Sequence, residues 1–321
     1  MKHNQQSGAA LLIVLSLMAI LTIIPTELYE KSRYSSNRLS SLQSLFQAQW
    51  FARSGESHAL LKIRELHNLK VIEAGQLRTD YPIEKGNINI QLTPLHNCFN
   101  LNSLDSKTPE EQTETNNPDR LIAINSLKRL LQHSGIPLHT SRIFTSRLAD
   151  WIDQDQQPLD SFGLERAGIN TPKPNNTQLM NTAEIFRLNI LGVQEFDKVK
   201  QHLCAHINDS SLTINPNDLT TEDTALLQAV LGDALSPEAI RQLLEARPAD
   251  GYQDIKSFFT QGVFKDTEIT PATKAAFSLK RNFFHAKIDV HYDIARIRLN
   301  SLLSINNDKG TVVARYYGAM P

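Results

Sequence analysis

Ser7-Gly8-Ala9-Ala10-Leu11-Leu12-Ile13-Val14-Leu15-Ser16-Leu17-Met18-Ala19-Ile20-Leu21-Thr22-Ile23-Ile24 is the stretch on which the reading of this 321-residue chain turns. A short polar leader carrying one lysine, Lys2, runs straight into it. A secretory signal peptide has its small-residue cleavage site after the apolar segment and loses that segment on processing. Here the small-residue junction, Gly8-Ala9, comes first, so a cut there keeps the apolar segment as the start of the mature chain. As a helix rising ~1.5 Å per residue, Ala9 to Ile24 covers roughly 24 Å, somewhat short of a ~30 Å hydrocarbon core. The stretch suits a bilayer with its ends snorkelling, and it equally suits packing against other helices. An uncleaved signal anchor is the alternative reading.

Downstream, Pro25 ends the apolar run without having to end the helix. Leu45, Ala48, Ala52, Gly55, Ala59 and Ile63 recur at spacings of three and four, a helical stripe of mostly small residues suited to close packing on a sheet. The helix is expected to run to about Leu66. Ile88, Ile90 and Leu92 alternate within Gly86 to Pro94, the pattern of a half-buried strand. Thr108 to Asp119 reads as a polar exposed loop. The chain then turns helical: a stripe on Leu121, Ile124, Leu127 and Leu131, then Arg147 to Ile152, Thr182 to Leu191 and Phe196 to Cys204. Further helices are expected on Leu226, Leu227, Val230 and Leu231, over Ala239 to Ala246 behind a Ser236-Pro237 start, and from Asp254 to Phe259. Alternation returns over Phe283 to Tyr292, Ala295 to Leu303 and Gly310 to Tyr317. The expected fold is α+β: a long N-terminal helix packed on an antiparallel sheet, split by a large all-α insertion. Such an insertion is tolerated because closing a long loop costs little more than closing a short one. The expected divisions are a leader 1–8, a membrane or filament-core helix 9–30, a first α/β part 31–102, helical subdomains 103–210 and 211–275, and C-terminal strands 276–321.

With 40% hydrophobic residues the chain is able to bury real cores, and its net charge of −1 sets up no global field for nucleic acid. The two cysteines, Cys98 and Cys204, are compatible with one bridge if the body lies outside the cytoplasm, or with two separate buried thiols. The histidines are scattered, and no Gly-rich phosphate loop or nucleophile elbow is found, so no enzyme is read here. His58 and His67 read as surface residues, and Trp50 and Trp151 as core or inter-helix residues. Asp153, Asp155, Asp160 and Glu165 crowd into a stretch containing Pro158 and Gly163. Hard carboxylate oxygens in a flexible loop suit Ca²⁺, which accepts six to eight oxygens in loose geometry. A solvated acidic loop with Asp153 capping a helix is the alternative.

Four features in order carry a family resemblance. The Gly8-Ala9 junction resembles the prepilin signal of type IV pilins and type II secretion pseudopilins. Cys98-Phe99-Asn100-Leu101-Asn102, Asp150-Trp151-Ile152-Asp153-Gln154-Asp155-Gln156-Gln157-Pro158 and Leu244-Glu245-Ala246-Arg247-Pro248-Ala249-Asp250-Gly251-Tyr252 resemble three motifs of one family. Together they resemble the K-type minor pseudopilins of type II secretion systems, over nearly the whole chain. The resemblance implies a pilin-like core with a helical insertion of two subdomains, SAM-like and helix-hairpin-helix-like. It implies cleavage between Gly8 and Ala9 by a prepilin peptidase with methylation of the new amine. It also implies a single inner-membrane pass with the globular part in the periplasm, and I-type and J-type minor pseudopilins as partners, with no nucleic acid. The implied role is non-enzymatic, supporting pseudopilus assembly and export of folded proteins across the outer membrane. Most pilins carry glutamate at the fifth mature position; Ile13 stands there, which points to the filament tip. The family also implies calcium at Asp153, Asp155, Asp160 and Glu165, although Arg166 stands where the family often has an acid. With both cysteines on the non-cytoplasmic side, the bridge is the expected state. The segment Ala239 to Phe259 separately resembles helix-hairpin-helix modules, some of which bind DNA at the membrane in competence or type IV pilus systems. Its turn holds one glycine, Gly251, beside Asp250, and Arg241, Arg247 and Lys256 are offset by Glu238, Glu245 and Asp254, which favours a packing role.

Overall fold

The computed structural model describes residues 7–105, 118–155, 157–164, 173–232 and 235–318, apart from the side chains at 7–8, 22–27 and 74. Helix α1 (Ser7–Leu66) continues through position 25 and ends where the sequence placed its end. Ala48, Ala52, Gly55, Ala59 and Ile63 form its buried stripe, whereas Leu45 stays more than a third exposed. The small residues bring the helix backbone onto the sheet. A Cβ at Gly55 would stand 3.0 Å from Ile288 Cγ2 and 3.3 Å from Ile88 Cγ2, closer than those side chains accept without moving.

After α1 come strands β1 (Arg78–Ile83) and β2 (Gly86–Pro94). A long excursion follows: β3 (Phe99–Asn100), α2 (Pro118–His133), α3 (Leu138–Ile152), α4 (Val193–Val199), β4 (Leu203–Cys204), α5 (Thr224–Leu231), α6 (Pro237–Glu245), α7 (Ile255–Phe259) and α8 (Pro271–Ala275). The chain closes with β5 (Phe283–Tyr292), β6 (Ala295–Asn306) and β7 (Lys309–Tyr317). The five-stranded sheet has the order β1-β2-β5-β6-β7 with every pair antiparallel, so the excursion joins two neighbouring strands. Ile88 faces Val290, Ile90 faces Ile288 and Leu92 faces Ala286 across that junction, all six buried beneath α1. The opposite face is polar, with Asn89 donating to Asp80 at 2.7 Å and Arg298 donating to Asp289 at 2.6 Å. Asn307 and Asp308, both at positive φ (48° and 61°), make the tight turn between β6 and β7.

The excursion differs from the all-α insertion expected. Phe99–Asn100 pairs in parallel with Leu203–Cys204, and Ile214 bridges Phe277, so short pieces of β structure tie its ends together. The helix expected through Cys204 stops at Val199, and residues 200–202 make a 3-10 turn into β4. The segment from Thr182 is also a 3-10 turn, ending at Leu188 because Asn189 takes the left-handed conformation. Of the expected loop at 108–119, residues 108–117 lie outside the described residues. Buried apolar side chains from both sides of position 210 belong to one continuous core, with α2 packed on α5. Two histidine and tryptophan expectations change as well. His67 is buried with Nε2 3.1 Å from Asp308, and Trp50 is 69% exposed.

Two buried charges fasten the parts. Glu56 on α1 accepts from Ser301 Oγ at 2.5 Å and from Arg315 Nε at 2.8 Å, clipping the helix to β6 and β7. Arg281, fully buried, donates from Nε to both oxygens of Asp218 at 2.8 Å, and from its terminal nitrogens to the carbonyls of Leu69 and Lys70. Breaking a buried pair from one side leaves an uncompensated charge and costs about 3–5 kcal/mol. Arg281→Met is therefore expected to lower the unfolding free energy by that amount in urea titrations. Arg298→Met, on the exposed sheet face, is expected to change it by less than about 1 kcal/mol.

Candidate functional site

Three regions bear on function: the free side of α1, the acidic loop after α3, and the hairpin between α6 and α7. On α1, residues 9–21 are exposed on every side, with Leu11, Leu12, Ile13, Leu15, Leu17, Met18, Ile20 and Leu21 each more than half accessible. A helix that is apolar all round belongs in lipid or among other helices. Among the described residues no helix is long and apolar enough to cross a membrane. Gly8 and Ala9 fall in the first turn of α1. Further along, Leu39, Leu42, Phe46 and Trp50 form a second apolar row, opposite the Ala48–Ala59 stripe that holds the sheet. Phe46, Gln49, Trp50 and Arg53 line a shallow groove there. Sequence reasoning assigned no role to this row, although its spacing of three, four and four is a helical period out of phase with the buried one.

The acidic loop is organised by a residue outside the expected ligand set. Asp150, fully buried, accepts the Leu159 N–H at 2.8 Å and the Leu164 N–H at 2.6 Å, so one carboxylate holds both arms of the loop. Gly163 makes this approach possible, since a Cβ there would lie 2.3 Å from Asp150 Oδ2. Asp153 is also fully buried; its Oδ2 accepts from Arg120 Nη2 at 2.5 Å, while Oδ1 has no hydrogen-bond partner. Burial pushes the Asp153 carboxyl up to about 8 against the pull of Arg120, with Asp155 and Asp150 adding to the rise. Asp155 accepts the Gln157 N–H at 2.8 Å. Asp160 is engaged elsewhere, accepting from Ser146 Oγ and from the Phe162 N–H, both at 2.8 Å. Glu165 lies outside the described residues. Among the described residues, no three carboxylates of this loop gather at metal-holding distance. The fit to a cation rests on the bare Asp153 Oδ1, a buried carboxyl oxygen with Asp150 and Asp155 nearby.

The hairpin spends its polar groups inside the protein. Ser236 Oγ caps α6 by accepting the Ala239 N–H at 3.2 Å, and Asp254 caps α7 by accepting the Ser257 N–H at 2.7 Å. Arg247 Nη1 donates to the carbonyls of Asn217 (3.0 Å) and Leu219 (2.5 Å). Gly251 donates to Pro248 O at 2.9 Å, and the Tyr252 N–H goes to Asn217 Oδ1 at 2.8 Å. A Cβ at Gly251, whose φ is +69°, would meet Val71 Cγ2 at 2.8 Å. Arg247 Nη1 and the Gly251 and Tyr252 N–H groups are thus already engaged within the protein rather than presented to a phosphate. Near the base of the insertion Cys98 and Cys204 are joined by a disulfide, their Cα atoms 5.7 Å apart.

Comparison with known proteins places these features in a family. Residues 97–208 and 214–280 match two family models, each described as type II secretion system (T2SS), protein K. The type II secretion system protein K of Klebsiella pneumoniae is 28% identical, over 98% of each chain. The Aeromonas hydrophila protein of that name is 25% identical over 97% of each. In fold, the chain resembles one from the crystal structure of the GspK-GspI-GspJ complex of the enterotoxigenic Escherichia coli type 2 secretion system. The TM-score is 0.72 at 24% identity, covering 88% of this chain and all of that one. A pilin-like helix on a five-stranded sheet, the interrupting helical body and matches along the full length agree: this chain belongs to the protein K family of type II secretion systems, a family of minor pseudopilins.

Proposed function

We propose that this chain is a non-enzymatic minor pseudopilin at the tip of a type II secretion pseudopilus, supporting its assembly and the export of folded proteins across the outer membrane. The observation that carries the reading is the division of α1 into two apolar surfaces. One is buried on the chain's own sheet, and the row Leu39, Leu42, Phe46 and Trp50 is left for other helices. The fully apolar segment from Ala9 sits in the inner membrane before assembly and in the helical core of the filament afterwards, with the globular body in the periplasm. A prepilin peptidase cuts between Gly8 and Ala9, and the new Ala9 amine is methylated. I-type and J-type minor pseudopilins are the partners, a choice supported by the complex in which the E. coli structural neighbour was crystallised. A DNA-binding role for the α6–α7 hairpin has little support, because Arg247 Nη1 and the Gly251 and Tyr252 N–H groups are already bonded within the protein.

Ca²⁺ is proposed as a structural ligand of the acidic loop, with Asp153 and Asp155 as its foremost side-chain donors and Asp160 and Glu165 completing the candidate set. The cation would satisfy the unpartnered Asp153 Oδ1 and relieve repulsion among the neighbouring carboxylates.

Two outcomes are expected. Full-length chain co-expressed with candidate I-type and J-type proteins should purify as one complex whose K-type component weighs as a chain beginning at Ala9. Trp50→Ala with Phe46→Ala should weaken that complex by at least tenfold, leaving the melting temperature of the chain alone within a few degrees. A retained Met1, or a complex indifferent to both substitutions, would count against the reading. Millimolar calcium should raise the melting temperature of the chain, and chelator should lower it, because a ligand bound only by the folded state stabilises by mass action. Asp153→Ala and Asp155→Ala should each remove most of that response; a melting curve indifferent to calcium and chelator would leave an ordinary acidic loop.

A further inference from the structure

The bridge between Cys98 and Cys204 has a third neighbour. A ring nitrogen of His206 lies within 4.8 Å of both sulfur atoms, and all three residues are buried. His206 is 1% exposed, and its Nε2 has no hydrogen-bond partner. A buried imidazole nitrogen left bare is uncommon in folded proteins and calls for an explanation. The ring is firmly placed: it stacks on Phe283 with centroids 4.2 Å apart and an angle of 11°, and its edge meets His96. The segment carrying it, just past β4, is held by the two asparagines of the Asn100-Leu101-Asn102 motif. Asn100 Oδ1 accepts the His206 N–H at 3.0 Å, and Asn102 Nδ2 donates to the His206 carbonyl at 3.0 Å. Asn100 also pairs with Cys204 in the β3–β4 ladder, so main-chain pairing joins the segments bearing Cys98 and Cys204 alongside the sulfur–sulfur bond. Bridge, ladder and asparagines meet around one buried cluster.

We propose that the reduced form of this chain binds one thiophilic divalent cation of the zinc class through Cys98 Sγ, Cys204 Sγ and the imidazole of His206. Two thiolates and an imidazole are a donor set that favours zinc over the harder divalent ions, and three protein ligands with one open position are a common zinc arrangement. The chemistry balances simply. A dithiol reductant passes two electrons to the sulfur–sulfur bond by thiol exchange and leaves as a disulfide, giving two thiols on the protein. On metal binding each thiol loses its proton to solvent, and His206 supplies a lone pair. In the reverse direction a disulfide acceptor takes the two electrons and the cation leaves. Disulfide and metal are thus alternative closures through the same two cysteines, His206 joining only in the metal form, and either one ties the start of the insertion to β4. The inference does not depend on the pseudopilin reading.

The test uses the full chain in detergent, once oxidised and once reduced with a phosphine that is then removed under anaerobic conditions. Each form is titrated with Co²⁺ and then Zn²⁺. The reduced chain is expected to take up a single Co²⁺ with thiolate-to-cobalt charge-transfer absorption, to lose it to Zn²⁺, and to show its two thiols alkylated at least ~10-fold more slowly once zinc is bound. The oxidised chain should show none of this. His206→Gln is expected to weaken the metal more than ~10-fold, since even the loss of an outer-shell partner costs about that much. Uptake by the reduced chain no greater than by the oxidised one overturns the proposal, as does unchanged affinity in His206→Gln. Should that variant fail to fold, cadmium NMR of the reduced natural chain decides. A shift typical of two sulfurs and a nitrogen supports the site, and one typical of sulfur and oxygen alone overturns it.

Discussion

The guanidinium of Arg281 has no access to water, so each of its donors must end on an oxygen of the protein. It lies just ahead of β5, where the chain returns to the sheet after the insertion. Its partners come from two other places: the Asp218 carboxylate inside the insertion, and the Leu69 and Lys70 carbonyls just beyond α1. One side chain thereby fixes the end of the long helix, the insertion and the entry to β5 relative to one another. His96 works at the same junction, its Nε2 accepting the Asn282 N–H at 2.8 Å. Burial holds this imidazole below its usual pKa, which keeps the lone pair available for the task. The two cores on either side are apolar, and dispersion alone would leave their mutual orientation loose. Direction comes from the charged and hydrogen-bonded groups between them.

How far the sequence revealed this architecture follows from which forces were local. Strands β2, β5, β6 and β7 were legible because one sheet face is buried beneath α1, which imposes a strict alternation on Ile88, Ile90, Leu92 and on Ile288 and Val290. The small-residue stripe of α1 was legible for the same reason at helical period. β1 was not, because it is an edge strand: it carries Pro82, and its inner residues are only half buried. β3 and β4 are two residues each and exist through each other across about a hundred positions, so no local pattern announces them. The helix expected over Phe196 to Cys204 failed at that point, where pairing to Asn100 overrode a helical spacing. Trp50 was misread by treating an aromatic as core material; its phase on the helix, away from Ala48 and Ala52, already argued otherwise.

The acidic signature shows a second limit. Its composition pointed to a carboxylate-organised loop, and the carboxylates do organise it, but their roles depend on which way each faces. Asp150 turns inward and holds the backbone of Leu159 and Leu164, while Asp153 meets an arginine 33 positions earlier in the chain. Asp160 faces Ser146 on α3. Three acids that look equivalent in sequence are thus divided between hydrogen-bonding and ion-pairing roles. The Asn100-Leu101-Asn102 motif is a similar case. It served only as a family marker in the sequence, whereas in the fold its two amides carry backbone bonds to residues 179, 206, 209 and 211.

Charge also bears on where such a subunit sits in a filament. On the proposed reading the segment from Ala9 packs among the apolar helices of other pseudopilins, a medium in which an ionised group costs several kcal/mol unless paired. A subunit whose fifth mature residue is glutamate needs a neighbour's terminal amine, and each amine needs such a glutamate, so the pairing chains one subunit to the next. Ile13 occupies that position here, amid side chains that are exposed and apolar. This chain therefore makes no demand for an amine and leaves no bare carboxylate when none is present. Cut after Gly8, it would offer its own amine to another subunit's glutamate and require none in return. A series linked by one-directional pairs must end on a member lacking the acceptor, and a chain with isoleucine at that place meets the condition without burying an unpaired charge.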